Sequence, residues 1–307
     1  MKRPRFTTAF NFTPPAGEIM KTARWYVDQL LMHQPANKDL GQHFLVNDTI
    51  LQHIVEAGDV QENDHVLEIG PGPGTLTAHL LGTGCKVTSI EIDQGACQHL
   101  HVVFDGELET GQLELIEGDV LQTQLPLGIT KVVANIPYQI SSPLIEVLTR
   151  FQHERNRPLT TMVMMVQEEF AERLEMKYTD AVGSLGLVVS LDFHVEMMSK
   201  VSPDAFIPHP KVHSRVVKFI PHQVDIPCNR KLLVMVIRHC FDQRRKKLRT
   251  LLKNPPKRIS RIRGWYAGRW KDGYQSMKDS PVMEHRPEDL DLEQWFQLVS
   301  SLEQHGS

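Results

Sequence analysis

Four short apolar runs punctuate the first half of the chain: His65–Ile69, Lys86–Ile90, Leu113–Ile116 and Lys131–Ala134, each leading into glycine, an acid or asparagine. Runs this short, bounded in this way, fit strands buried on both faces of a sheet, and the stretches between them, such as Thr75–Leu81, read as helical. Two further runs, Thr161–Val166 and Leu185–Val189, are strand- or core-sized. The alternation over residues 39–220 predicts an α/β domain. Beyond it, Pro221 to Pro227 reads as a linker (221–228), and residues 229–307 as a smaller, mainly helical domain. Residues 1–38 hold Pro14-Pro15 and Pro35 around a short helical pattern at Ile19–Met32, with six basic and two acidic residues. They read as a flexible arm, a weak mitochondrial presequence being the alternative.

The strand ends carry the candidate chemistry. The first strand runs into Gly70-Pro71-Gly72-Pro73-Gly74, where glycine lets backbone approach a ligand at the mouth of an α/β sheet. The dinucleotide fingerprint would need glycine at position 75 or 77, and both are threonine. Pro71 and Pro73 also remove two N–H donors, which argues against a pyrophosphate cradle. The second strand ends in Glu91, placed to accept both hydroxyls of a ribose. Asp119 follows the third and is placed for an adenine amino group, and Asn135 closes the fourth. Four such ends suit a nucleoside with an uncharged or cationic extension. S-adenosyl-L-methionine fits, because its sulfonium needs no phosphate site.

Asn135-Ile136-Pro137-Tyr138 combines an amide, a fixed bend and an aromatic ring. Adenine N6 is a poor nucleophile because its lone pair is delocalised into the ring. Two acceptors on its hydrogens, the Asn135 oxygen and a backbone carbonyl held by Pro137, draw the nitrogen toward sp³ geometry and free that pair. Tyr138 is placed to stack on the base.

Taken together, Leu40-Gly41-Gln42-His43-Phe44-Leu45, the glycine loop, Glu91, Asp119, Asn135–Tyr138, Gln167–Leu174, Phe206–Ser214 and Phe241–Leu248 stand in the order of one family. The chain resembles, from about Leu40 to about Leu302, the ribosomal RNA adenine dimethyltransferases of the KsgA type, relatives of the Erm methyltransferases. The resemblance implies a Rossmann-like class I methyltransferase domain using S-adenosyl-L-methionine. It implies cofactor contacts from Gln42, His43, Leu45, Gly70, Gly72, Glu91, Ile92, Asp119, Val120 and Asn135. Asn135, Ile136, Pro137 and Tyr138 would form the catalytic motif, with Tyr138 and Phe206 sandwiching the extruded adenine. The implied reaction is double methylation of N6 on two adjacent adenosines in a small-subunit hairpin loop, with a role in ribosome biogenesis. Two positions depart from the common bacterial pattern: His43 replaces asparagine, and Ile136 replaces leucine, as it often does in Erm enzymes.

Composition is that of an ordinary globular chain: 307 residues, 41% hydrophobic and 23% charged. No stretch approaches 18 uninterrupted apolar residues, so no membrane span is expected. The four cysteines form no C-x-x-C pair, which suits reduced thiols in a cytoplasmic protein. No metal site is expected, since prolines exclude a regular helix linking His209 and His213. Glu68, Glu168 and Glu169 read as structural. Charge is uneven: Arg230–Lys271 holds fifteen Lys or Arg against Asp242 alone, +14 in a chain whose total is −3. Together with apolar residues at helical spacing (Leu232, Leu233, Val236, Ile237, Phe241, Leu248, Leu251, Leu252), this describes a folded segment with its basic face outward. Ribosomal RNA is the expected partner, held by Arg244, Arg245, Lys246, Lys247 and Arg249, and a monomer is expected. An Erm-type enzyme acting on large-subunit RNA, and an assembly or mitochondrial transcription factor with little catalysis, remain as alternatives. The +14 segment disfavours a small-molecule methyltransferase.

Overall fold

The structure, a computed structural model, describes residues 21–153, 159–176 and 182–305. Its strands are β1 (Phe44–Leu45), β2 (His65–Ile69), β3 (Lys86–Glu91), β4 (Leu113–Glu117), β5 (Lys131–Asn135), β6 (Thr161–Gln167), β7 (Phe193–Val201), β8 (Phe206–Ile207) and β9 (Ser214–Pro221). Its helices are α1 (Ala23–Leu31), α2 (Asp48–Ala57), α3 (Thr75–Leu81), α4 (Gln94–Val103), α5 (Asp105–Thr110), α6 (Ser141–His153), α7 (Glu168–Glu175), α8 (Ser184–Val189), α9 (Arg230–Phe241), α10 (Leu248–Leu251), α11 (Ala267–Met277) and α12 (Leu292–His305). Polar side chains start several of them: Thr22, Asn47, Asp93 and Asn229 accept backbone N–H groups in the first turns of α1, α2, α4 and α9.

Seven strands form one sheet in the order β4-β3-β2-β5-β6-β9-β7. The five from β2 to β6 are parallel, and β9 inserts antiparallel between β6 and β7. Alternate residues serve opposite faces. Val66, Val87 and Val133 join one buried cluster with Leu51, Ile54, Leu76 and Leu80, while Leu67, Val132 and Ala134 join another with Leu144, Ile145 and Leu148. Burial on both faces explains why these strands read as continuous apolar runs. Strand order reverses between β2 and β5, which opens a crevice at their carboxyl ends. A third cluster, centred on Trp270 and Trp295, holds the C-terminal helices together. No helix among the described residues is long and apolar enough to cross a membrane.

Three expectations change. The first 20 residues of the arm, with Pro14-Pro15 and the start of the Ile19–Met32 pattern, lie outside the described residues. The rest is no arm: Ala23, Val27 and Leu30 of α1 are at most 1% exposed, and Tyr26 stacks on Phe104, 5.4 Å between centroids. The Leu185–Val189 run is helical, within α8, and its Leu187 packs into the C-terminal cluster. Segment 221–228 is less a spacer than a seam, since Val224, Ile226 and Cys228 pack on that same cluster and Asp192 forms an ion pair with Arg230 across it.

Candidate active site

At the carboxyl ends of β2–β5 lies a cleft of about 340 Å³. The residues nominated from the sequence for cofactor and base, from Gln42 to Phe206, all line it. The glycine loop forms its floor. Gly70 and Gly72 have φ of +66° and +54°, left-handed values that favour glycine, and a Cβ at Gly72 would meet the Phe44 ring at 3.1 Å. The loop is pinned from behind: the Gly72 N–H donates to Glu91 Oε2 at 2.9 Å, and buried His99 reaches the Pro73 carbonyl at 3.2 Å.

Glu91, 5% exposed, accepts three backbone N–H groups, from Gly72, Ile92 and Asp93. A carboxylate has roughly four acceptor positions, so one remains for a ribose rather than the two expected from sequence. Burial raises the Glu91 carboxyl above its ordinary pKa, and these donors offset part of that rise. Ile92 beside it is 53% exposed and offers an apolar surface at the cleft rim. Asp119 accepts from the Leu121 N–H and Gln122 Nε2 at 2.9 and 2.8 Å, with Val120 buried behind it.

Glu68, read from sequence as structural, borders the cleft. Its Oε2 accepts from Thr77 and Ser89 at 2.7 and 2.8 Å, while its buried Oε1 has no partner. Glu68 is only 1% exposed and its Oε1 is enclosed, so the carboxyl ties β2 to α3 and β3 behind the cleft rather than opening into it. Burial pushes this carboxyl up to about 7; the two hydroxyls act against the shift and the nearby Glu91 charge adds to it.

Across the cleft, Asn135 Nδ2 donates to the His43 carbonyl at 3.4 Å, which orients the amide and leaves Oδ1 as its unengaged acceptor among the described residues. The Ile136 side chain is buried in the core, so only its backbone serves the site. Pro137, φ −58° and ψ 133°, turns the chain into a short 3₁₀ turn at Tyr138–Ile140. The Tyr138 hydroxyl shares a 2.6 Å hydrogen bond with Ser214, a fully buried residue of β9, and burial raises the phenol pKa. Phe206 is 1% exposed in β8, where it pairs with Leu45 of β1. The ring facing Tyr138 is His43, 5.9 Å between centroids and 27° between planes. His43 Nδ1 lies 2.8 Å from the Pro208 carbonyl, so this nitrogen donates and Nε2 carries the lone pair of the neutral ring.

Gln42 is occupied structurally: its amide accepts from the Asn37 N–H and donates to Asp93, both at 2.7 Å. Asp93 also receives Gln34, so the strap leading into β1 is fastened beside Glu91. Sequence reasoning missed Asp93, His99 and Ser214, whose partners lie 26 to 76 residues away. Glu168 forms a bidentate ion pair with Arg215 and is structural, as expected. Of the five cations nominated for RNA, Arg244 pairs with Glu288 at 2.8 Å, and Lys247 and Arg249 pair with Glu284 at 2.7 and 2.6 Å; Arg245 and Lys246 are exposed. No cluster of three or more metal-ligating side chains occurs among the described residues.

The sequence profile of the ribosomal RNA adenine dimethylase family matches residues 33–261. The ribosomal RNA small subunit methyltransferase A of Synechocystis is 37% identical over 290 residues, covering 86% of this chain and 95% of its own. Among solved structures, a dimethyladenosine transferase from Plasmodium falciparum superposes with a TM-score of 0.70 at 30% identity, over 85% of this chain and 98% of its own. The 23S rRNA methyltransferase ErmE shares the fold, with a TM-score of 0.57 at 24% identity over 83% and 99% of the two chains.

Proposed function

This chain belongs to the ribosomal RNA adenine dimethylase family, and from that premise we propose that it transfers methyl groups from S-adenosyl-L-methionine to N6 of adjacent adenosines in a small-subunit ribosomal RNA hairpin. The observation that carries the reading is the Asn135 amide, held by the His43 carbonyl with its oxygen free, in one cleft with Glu91, Asp119 and Tyr138. When bound, S-adenosyl-L-methionine supplies an electrophilic methyl group on a sulfonium. Glu91 and Asp119 would hold its nucleoside and Ile92 its base.

The target adenine, splayed from a loop, would enter beside Tyr138. The Asn135 oxygen and the Ile136 carbonyl accept the two N6 hydrogens, which orients the amine and concentrates electron density on nitrogen. As the new C–N bond forms, the methyl–sulfur bond would break with its electron pair left on sulfur as a neutral thioether; the N6 nitrogen becomes cationic, and its surplus proton passes to solvent. No general base is required, and positioning supplies much of the acceleration. The basic C-terminal domain would hold RNA phosphates. The Synechocystis relative's name favours small-subunit over large-subunit RNA.

Small subunits lacking adenine dimethylation, large subunits and free RNA, each incubated with tritiated S-adenosyl-L-methionine, test the reading. Label mapping to adjacent adenines of the small subunit is expected. Label confined to large-subunit RNA would move the assignment to the Erm type, and salt-sensitive binding without label would favour an assembly factor.

Ser214 acts through Tyr138. Losing its hydrogen bond frees the ring, so Ser214→Ala is expected to lower kcat/KM for RNA roughly tenfold with cofactor affinity unchanged, and Ser214→Thr to restore it. Equal kcat/KM for Ser214→Ala and wild type would remove the positioning role.

A further inference from the structure

The cations nominated from the sequence at 244–249 are largely engaged within the protein, because Glu284 and Glu288 take Arg244, Lys247 and Arg249. The next stretch is different. No acid occurs between Asp242 and Asp272, and Lys257, Arg258, Arg261 and Arg263 are all exposed, with no ion pair among the described residues. Their outward direction is built into the loop. Ile259, Ile262 and Trp265, between 5 and 6% exposed, anchor it to the C-terminal core at every third residue, so the charged residues between them face solvent. Trp270 Nε1 donates to the Leu252 carbonyl at 2.8 Å across the base of the loop. Arg269 is used internally, over the Trp265 ring at 4.6 Å and donating to the Gly264 carbonyl at 2.9 Å.

At the end of this loop stands Tyr266, 60% exposed, one of few large apolar side chains left at the surface. Four unpaired cations beside a free aromatic ring match the chemistry of single-stranded nucleic acid, phosphates meeting the charges and a base stacking on the ring. We propose that the loop 257–266 is an RNA-docking surface separate from the methyl-transfer cleft, which binds a single-stranded stretch flanking the target hairpin through Lys257, Arg258, Arg261, Arg263 and Tyr266. The proposal rests on the reading that the substrate is ribosomal RNA. It places the main phosphate contacts beyond residue 249, where no carboxylate competes for them.

Filter binding of the full chain over a salt series tests this, with two probes: undermethylated small ribosomal subunits, and a free RNA hairpin with single-stranded flanks. The triple variant Lys257→Gln/Arg258→Gln/Arg261→Gln is expected to lower the slope of log affinity against log salt by about 2 to 3 on both probes. Tyr266→Ala is expected to weaken binding roughly tenfold with the slope unchanged, because stacking releases no counterions. All four substitutions are at exposed positions, and thermal melting checks that each variant folds. A wild-type slope in the triple variant overturns the proposal and leaves the loop to an acidic protein partner. Wild-type chain that binds the hairpin with the full slope but neither binds nor methylates small subunits overturns the substrate reading and leaves the docking surface standing.

Discussion

Replacing Asn135 by alanine is expected to lower kcat for methyl transfer by about 10²–10³-fold, with cofactor affinity changed only a few-fold. The asymmetry follows from the two ends of one amide. Its nitrogen is engaged by the His43 carbonyl, which fixes the side chain before substrate arrives. In the proposed mechanism its oxygen would meet the amine of the target, an interaction that would strengthen as N6 gains positive charge. Such an interaction appears in kcat rather than in ground-state binding. Asn135→Asp separates the two ends: it keeps acceptor oxygens but loses the donor to His43, and a carboxylate is repelled by that carbonyl. An intermediate rate is expected, with a pH dependence absent from wild type. Single-turnover kinetics with saturating cofactor and undermethylated subunits provide the measurement. An Asn135→Ala rate within a few-fold of wild type would move the N6 acceptor elsewhere.

What the sequence disclosed of this site follows a physical pattern. Strand ends were legible because the largely apolar strands give way to polar residues where they reach the cleft: Glu91 and Asn135 close β3 and β5 there, and Asp119 follows two residues after β4. The glycine loop was legible because Gly70 and Gly72 occupy left-handed backbone. Helix α1 was legible as a helix within the Ile19–Met32 pattern, but its docking was not, because its partners are distant: Tyr26 stacks on Phe104 and the Ala23 N–H donates to Asp48. The run Leu185–Val189 has no period by which a strand can be told from a buried helix, and tertiary packing on α9 decided it. Side-chain pairings were the least legible. That Ser214 holds Tyr138, or that Glu284 takes Lys247 and Arg249, depends on contacts 35 to 76 residues apart that no local pattern encodes. Basic residues counted along the chain therefore overstate the charge available to RNA at 244–249.

Glu68 gives the second large effect, on stability against pH. In the unfolded chain its carboxyl titrates near 4.5; in the fold, burial raises it to about 7. Between these values the native state holds a proton that the unfolded state has lost, so stability falls as pH rises from about 4.5 and levels off above about 7. The loss is on the order of 3 kcal/mol, an upper figure because the structure relaxes around a buried charge. Glu91, also raised by burial, adds to the decline in the same direction. Glu68→Gln removes the Glu68 part: the amide oxygen accepts from Thr77 and Ser89 as Oε2 does, and no charge forms. Chemical denaturation of ligand-free protein from pH 5 to pH 8 is expected to show the two proteins nearly equal at the acid end, and the variant progressively more stable toward pH 8. Parallel curves would mean that Glu68 ionises in the fold as readily as in solution. Glu68→Gln is expected to gain stability above pH 7, because the charge it removes would sit beside an enclosed oxygen that has no hydrogen-bond donor among the described residues.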